Sequence, residues 1–318
     1  MTHTPVISII IAIYNAEKYL LSCVSQILSQ PFYDIELLLV DDGSTDMSGQ
    51  ICDGYAAKDE RVRVFHEHHA GVAHSRQVGL ERSRGEYILY IDADDTVHAD
   101  MITDMYHKAE ETDADVVMCD YEELTHDGAI YRCQQPTSSD GVAILNAIIS
   151  GHLYGALWNK MMRRDWLLQT GATFPEKLTM REDLLFLSLC LPHARKISYL
   201  PKVYYGYERR NIAALTKNYV DETPQYYIQE VLWVKMILGN KYINSENRHR
   251  LTSYLFTLAY ITLRRDLFDN TLWNQFFGDC PKILDYGKGY KRLLVKLSIN
   301  GHYCLSSFLR TIISRSRT

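Results

Sequence analysis

Three short, nearly unbroken apolar runs dictate most of what this chain can become. Val6–Ile13, Ile35–Val40 and Tyr87–Ile91 offer water almost no polar face, so as strands they must be covered on both sides. Helical spacings lie between them. Tyr19, Leu20, Cys23, Val24 and Ile27 mark a helix over Ala16–Gln30 that stops before Pro31. A second helix runs through Ile51 and Tyr55, a third over Val72–Ser83 and a fourth over about Asp100–Thr112, while Val62–Phe65 and Asp115–Tyr121 add strands. Alternation at this spacing predicts right-handed βαβ crossovers, hence an α/β fold with a Rossmann-like, mainly parallel sheet flanked by helices. Such sheets bind ligands in the crevice beyond the carboxyl ends of their strands. The three apolar runs lead directly into Tyr14-Asn15, Asp41-Asp42 and Asp92-Ala93-Asp94-Asp95. Chemistry is expected at that edge.

From about Leu124 the pattern loosens, with a turn at His126-Asp127-Gly128 and a loop over Pro136–Asp140. Helical runs resume at Gly141–Ser150 and Leu184–Leu191, and short strands are expected within Ile197–Tyr207. Beyond Asn211 the composition turns helical, as in Gln225–Leu238 and Arg248–Leu267. At 318 residues there is room for two domains. The reading is a catalytic α/β domain over 1–215 and a helical C-terminal region over 216–318, with the boundary near 210–220.

Charge separates the two parts. Residues 211–318 carry 15 Lys and Arg against 8 Asp and Glu, whereas 1–210 carry 19 against 31. From Pro281 onward eight cations face only Asp285, interleaved with Leu293, Leu294, Val295, Leu297, Phe308, Leu309, Ile312 and Ile313. A basic amphipathic tail over 285–318 suits an anionic membrane surface, an ordinary docked helix or a protein partner. No nucleic-acid partner is expected. Seven scattered cysteines without a CxxC pair point to reduced thiols and a cytoplasmic setting. The opening MTHTPVISIIIAIYN lacks a basic n-region and is too short to span a bilayer.

Three carboxylates directly after a buried strand offer hard oxygen ligands that suit Mg2+ or Mn2+, which complete their shells with water and substrate phosphates. Turn and cap preferences of Asp give the plainer alternative. His66-Glu67-His68-His69 matches no zinc spacing. A Rossmann dehydrogenase would need G-x-G-x-x-G after the first strand, where Ala12-Ile13-Tyr14-Asn15-Ala16-Glu17 stands instead. A nucleotidyltransferase would want a Gly- and Lys-rich phosphate loop at the same place, and none is visible.

PVISIIIAIYNAEKYL, LLLVDDGSTD, GVAHSRQVGLERSRGEYILYIDADD, WNKMMRRDWL and REDLLF, in that order, resemble the family-two inverting glycosyltransferases of bacterial polysaccharide synthesis. The resemblance covers about the first 210 residues. It implies a GT-A fold, a nucleoside-diphosphate-sugar donor (a UDP-sugar first, a dTDP-sugar second), a divalent Mn2+ or Mg2+, and a glycan or lipid-linked oligosaccharide acceptor. By that resemblance Ala12, Tyr14, Asp41 and Asp42 hold base and ribose, with Asp42 accepting from the uracil N–H and Tyr14 stacking on the base. Arg76 meets the nucleotide or its phosphates, although the usual Ala-Arg-Asn reads Ser75-Arg76-Gln77 here.

Asp92 meets the ribose and Asp94 the metal, while Asp95 is open between supporting that metal and capping the next helix. Asp183 becomes the general base, with Glu182 the weaker alternative; a plain helix-dipole role at a first turn is the simpler account of both. Trp158 and Asn159 shape the sugar and acceptor site, or Trp158 is core. Arg209 and Arg210 close over the diphosphate, or face solvent. A catalytically inactive nucleotide-sugar-binding scaffold is the alternative function, and a peripheral location on the inner face of the cytoplasmic membrane the alternative to a purely cytoplasmic one.

Overall fold

The computed structural model describes residues 4–176, 178–211 and 223–300, together with 302, 306 and 309. Two compact units divide the chain, Met1–Ala214 and Leu215–Thr318. The boundary expected near 215 falls within 212–222, and Phe308, Arg310 and residues 311–318 of the basic tail likewise lie outside the described residues.

In the first unit the apolar runs become β1 (Ile7–Ile13), β2 (Ile35–Asp41) and β4 (Tyr87–Asp92), with β3 (Val62–His66) outside β2. All three pairings among them are parallel: β1 with β2, β1 with β4, β2 with β3. The two polar interruptions of the runs meet each other. Ser8 and Glu36 are register partners, the Ser8 hydroxyl donates to Glu36 Oε1 at 2.6 Å, and Arg63 Nη1 and the Arg84 amide complete the carboxylate at 2.7 and 2.6 Å. Burial pushes Glu36 upward, but these donors outweigh it and hold the carboxyl below its usual range.

Helices α1 (Glu17–Leu28), α2 (Ser48–Ala56) and α3 (Val72–Arg82) connect these strands. At Gly79 of α3 an added methyl would overlap Cγ2 of Ile10, so the absence of a side chain lets α3 sit directly on β1.

Beyond β4 the sheet is mixed. The remaining strands are β5 (Thr96–Val97), β6 (Val116–Thr125), β7 (Gly128–Arg132), β8 (Lys160–Arg163) and β9 (Ile197–Glu208), in the order β3-β2-β1-β4-β8-β6-β9-β5 with β7 against β6. β8 runs antiparallel to both neighbours, and β9 is parallel to β6. Within that last pair, four residues separate Leu200 from Tyr205 on β9 where one separates Cys119 from Tyr121 on β6, which makes a bulge. Helices α4 (Met101–Thr112), α5 (Gly141–Ile149), α6 (Arg164–Gln169) and α7 (Glu182–Cys190) complete the unit. α5 starts at an N-cap, Asp140 Oδ1 accepting from the Ala143 amide at 2.8 Å.

The second unit is helical: α8 (Pro224–Gly239), α9 (Ser245–Arg264), α10 (Asn270–Phe277) and α11 (Gly289–Ile299). Side chains of Thr223, Asn244 and Asp269 cap the first three by accepting from the amides of Tyr226, Asn247 and Leu272. Val231, Ile237, Leu263, Trp273 and Phe277 form its buried centre. α11 buries Leu294 and Val295 and exposes Lys291, Arg292, Leu293 and Lys296. No helix of the described residues is long and apolar enough to cross a membrane.

Candidate active site

The carboxyl edge of the parallel half gathers the residues expected there, because register fixes it. Ala12 lies opposite Val40 on one side and Asp92 on the other, and Ile13 opposite Asp41. The loop beyond β1 is stitched to the loop beyond β2: the Asn15 amide donates to Ser44 Oγ at 3.0 Å, and Asn15 Oδ1 accepts from the Thr45 amide at 2.8 Å. Gly43 has φ +70°, and a Cβ there would press on the backbone of His69. The turn carrying Asp41-Asp42 therefore requires glycine.

Both acids are fully engaged. The Asp42 carboxylate accepts from the Ala70 and Gly71 amides at 2.8 and 2.9 Å, and His69 Nδ1 bonds to the Asp42 carbonyl oxygen at 3.2 Å while lying 2.9 Å from Oδ2. Asp41 accepts from the Ser44 amide at 3.0 Å and from His66 Nδ1 at 2.9 Å, while His66 Nε2 reaches Asp53 at 3.1 Å. Burial raises Asp41, yet the Ser44 and His66 hydrogen bonds win and hold it low; those to Asp41 and Asp53 raise the imidazole. Tyr14 is 48% exposed and stacks on His69 with ring centroids 4.1 Å apart. It presents an aromatic face at the rim rather than packing in the core. His66 and His69 were not singled out by sequence as partners of these acids; their placement, His66 at the end of β3 opposite Asp41 and His69 on the loop that follows, is a tertiary fact.

The acids after β4 have three different environments. Asp92 Oδ1 accepts from Arg76 Nη2 at 2.8 Å. Asp94 accepts from Asn211 Nδ2 at 2.7 Å, and burial, reinforced by the charge of Asp92, raises it despite that bond. Asp95 is buried and accepts from the Tyr205 hydroxyl at 2.6 Å and the Glu208 amide at 2.7 Å. Burial and the neighbouring Asp92 and Asp94 push it well up. Of its two expected roles, capping α4 does not match these bonds; the side chain fastens the end of β4 to β9.

Asp94 forms no ion pair with Lys, Arg or His among the described residues. A half-buried hard-oxygen donor without a paired cation suits Mg2+ or Mn2+. No three His, Cys, Asp or Glu side chains among the described residues are grouped so as to hold a metal by themselves. The other ligands of such an ion would come from phosphate oxygens and water.

Glu182 and Asp183 open α7, just after Arg181 in the left-handed region at φ 63°. Asp183 Oδ1 accepts from Arg76 Nη1, and Oδ2 from the Leu157 amide at 3.3 Å. Glu182 accepts from the same Nη1 at 2.6 Å. For Asp183, burial is the largest influence, Arg76 opposes it, Glu182 and Asp92 add to it, and the carboxyl is pushed up to about 7. A partly buried carboxyl poised near neutrality is a candidate general base.

The Trp158-Asn159-Lys160 segment braces the loop whose Leu157 amide meets this carboxylate. Lys160 is buried and its ammonium donates to the carbonyls of Tyr154 and Ala156 at 3.0 and 2.6 Å and to Asn159 Oδ1 at 2.7 Å. Burial lowers it to about 8. Asn159 Nδ2 in turn donates to the Cys119 carbonyl at 3.0 Å, so both side chains hold the loop that carries Leu157. Trp158 is 2% exposed and stacks on Tyr205 at 4.3 Å, so its rings face the interior; Tyr154, at its side, is the aromatic open to solvent. Arg210 is paired with Glu208 at 2.8 Å, whereas Arg209 is exposed with its guanidinium over Tyr207. Lys160 and Asn211 were missed by sequence reasoning, the first because lysine is seldom buried, the second because no motif surrounds it.

Comparison with known proteins identifies the family and the fold. Residues 8–170, about half of the chain, match the family model described as glycosyl transferase family 2. The glycosyltransferase GlyG of Streptococcus pneumoniae is 48% identical over 116 residues, 36% of this chain and 38% of that one. The putative glycosyltransferase EpsH of Bacillus subtilis is 31% identical over 224 residues, 68% of this chain and 64% of that one. The chain thus spans less than two thirds of either relative. The crystal structure of S. aureus TarS 1–349 with UDP-GlcNAc superposes with a TM-score of 0.68 at 21% identity, covering 98% of this chain and 92% of that one. The fold is therefore the GT-A fold of that glycosyltransferase.

Proposed function

The chain belongs to glycosyl transferase family 2, and from that premise we propose that it transfers a sugar, with inversion, from a nucleoside diphosphate to a glycan or lipid-linked acceptor in cell-surface polysaccharide synthesis. The observation that carries this reading is the single guanidinium of Arg76 between Asp92 and Asp183. A donor-side acid and a base poised near neutrality are thereby within one side chain's reach, at the carboxyl edge of the sheet. UDP is the favoured nucleotide, in line with the UDP-GlcNAc bound to the structural relative; dTDP comes second.

In this reading Tyr14 and His69 offer an aromatic platform to the base, and Ala12, Asp41, Asp42 and Asp92 line the nucleoside. Asp42 already takes two loop amides, but each carboxylate oxygen accepts more than one bond. Asp94 would hold Mn2+ or Mg2+, whose chemistry is to offset charge on the departing diphosphate. Asp183 accepts the proton of the acceptor hydroxyl as that oxygen attacks the anomeric carbon from the face opposite the diphosphate, which inverts the centre. The Leu157 amide and Arg76 aim its two oxygens. Arg209 and Tyr154 border the acceptor side.

The reading extends to the inner face of the cytoplasmic membrane for its acceptor, supported by the exposed Lys291, Arg292, Leu293 and Lys296 on α11.

The test is release of nucleoside diphosphate from a panel of UDP- and dTDP-sugars with Mn2+ and with EDTA, for wild type, Asp94→Ala and Asp183→Asn. Slow metal-dependent hydrolysis of one donor, lost in Asp94→Ala, is expected. Nucleotide binding by calorimetry without any turnover would favour an inactive scaffold, and no binding would end the proposal.

A further inference from the structure

Arg76 is an unusual cation for a site expected to bind a diphosphate. Its side chain is 6% exposed, and it is paired with carboxylates from separate parts of the chain. Nη2 donates to Asp92 at 2.8 Å; Nη1 donates to Glu182 at 2.6 Å and to Asp183. Both terminal nitrogens are thus committed to protein acids. A residue gripping phosphate needs donors turned outward instead, in the fork geometry that makes arginine suited to bidentate recognition.

One arginine in contact with three carboxylates, of which Glu182 is buried and Asp92 and Asp183 are partly so, also leaves the cluster short of positive charge. The groups facing Asp183 are Arg76 from α3, Asp92 and Tyr90 from β4, Glu182 beside it on α7 and Lys160 from β8. Arg76 is the leading influence that favours the ionised form of Asp183, with the Leu157 amide and the charge of Lys160 behind it, against burial and two like charges. From these contacts we infer that Arg76 is a positioning residue of the base: it holds Asp183 ionised and aimed and ties it to the donor-side Asp92, rather than gripping the diphosphate. Reach matters as much as charge. A planar fork spans two sides of the cluster at once, which the compact ammonium of lysine cannot do. The inference rests on the reading of Asp183 as the base.

The experiment compares wild type, Arg76→Lys and Arg76→Gln in two measurements. One is the pH profile of kcat/KM for donor turnover; the other is UDP affinity by calorimetry at fixed Mn2+. With its counter-charge removed, Asp183 should need a more alkaline solution to ionise. The acid limb is expected to move upward by about one pH unit or more in Arg76→Gln, with kcat at pH 7 down about tenfold and partly restored by pH 9. UDP affinity should change less than about threefold.

In an Asp183→Asn background, Arg76→Gln should cost almost nothing further, since it acts through a group already removed. A tenfold or greater loss of UDP affinity with an unmoved acid limb would overturn the inference and return Arg76 to the phosphates.

Glu182→Gln serves as a second probe that leaves the arginine in place. It removes a like charge and a competitor for Nη1, so the acid limb should move downward; an unmoved limb there also overturns the inference. Wild type that neither turns over a donor nor binds UDP would instead sink the proposed function itself, and Arg76's assignment with it.

Discussion

Replacing Asp183 by Asn should destroy turnover and at the same time stabilise the fold. Burial and the charges of Glu182 and Asp92 outweigh Arg76, raising this carboxyl from 3.8 to about 7. A shift of that size corresponds to roughly 4 kcal/mol at about 1.36 kcal/mol per unit. Asp183 binds its proton more tightly folded than unfolded. Its cost to stability is therefore absent below about 3.8, grows as pH rises toward 7, and is complete above that value. Asparagine is nearly isosteric and carries no charge, but it gives up the pairing with Arg76 and still buries an amide. The expected gain at pH 8.5 is therefore about 1–3 kcal/mol, or about 3–8 °C in Tm for a unit of this size.

Thermal unfolding of both proteins at pH 8.5 and pH 5, monitored by circular dichroism, measures it. The gap should shrink by more than half at the lower pH. Turnover should fall by about 10²- to 10⁴-fold. A variant less stable than wild type at pH 8.5, or a gap independent of pH, refutes the account of Asp183 as a carboxylate held ionised at a cost.

Two other outcomes test separate parts of the molecule. Gly79→Ala gains helix propensity, worth about 1 kcal/mol, but its methyl overlaps the fully buried Ile10. Overpacking should win, with a net loss of about 1–2 kcal/mol seen as a lower urea midpoint; an unchanged midpoint would mean that α3 lifts off β1 freely. In the second unit, changing Lys291, Arg292 and Lys296 to Gln should weaken binding of the full chain to phosphatidylglycerol vesicles by about fivefold per charge. Equal sedimentation of variant and wild type with such vesicles would remove α11 from any membrane role.

The parallel half of the sheet was legible because its strands are buried on both faces and so read as apolar runs, and the acids at their ends could be located at once. Even the polar intruders Ser8 and Glu36 proved to be partners across β1 and β2. The mixed half was less so. β5 has two residues, too few for a period, and β7 is exposed along its whole length, where sequence suggested a turn alone. Residues of the site were found one by one, but their pairing was not. Arg76 meets Glu182 and Asp183 across more than a hundred positions, and no local pattern encodes such a contact. Asn211 and Lys160 escaped for related reasons: one lies beyond any motif, the other is a cation whose burial is compensated by three acceptors. Trp158 turned out to face Tyr205 inside, with Tyr154 taking the outward position.

The bulge of β9 gives this last arrangement an arithmetic of its own. Between the Leu200 and Tyr205 pairings β9 holds three residues more than β6, an odd number, so the faces to which its side chains point are exchanged relative to its partner strand. Tyr205 and Tyr207 stack on Trp158 only in that phase. Deleting one residue from Pro201-Lys202 would restore the other parity and bring Gly206 and Glu208 to the tryptophan instead. Deleting both would preserve it. Length change in this segment should therefore be tolerated by twos and not by ones, so that an exposed bulge within β9 acts as a counting device for the aromatic stack on Trp158.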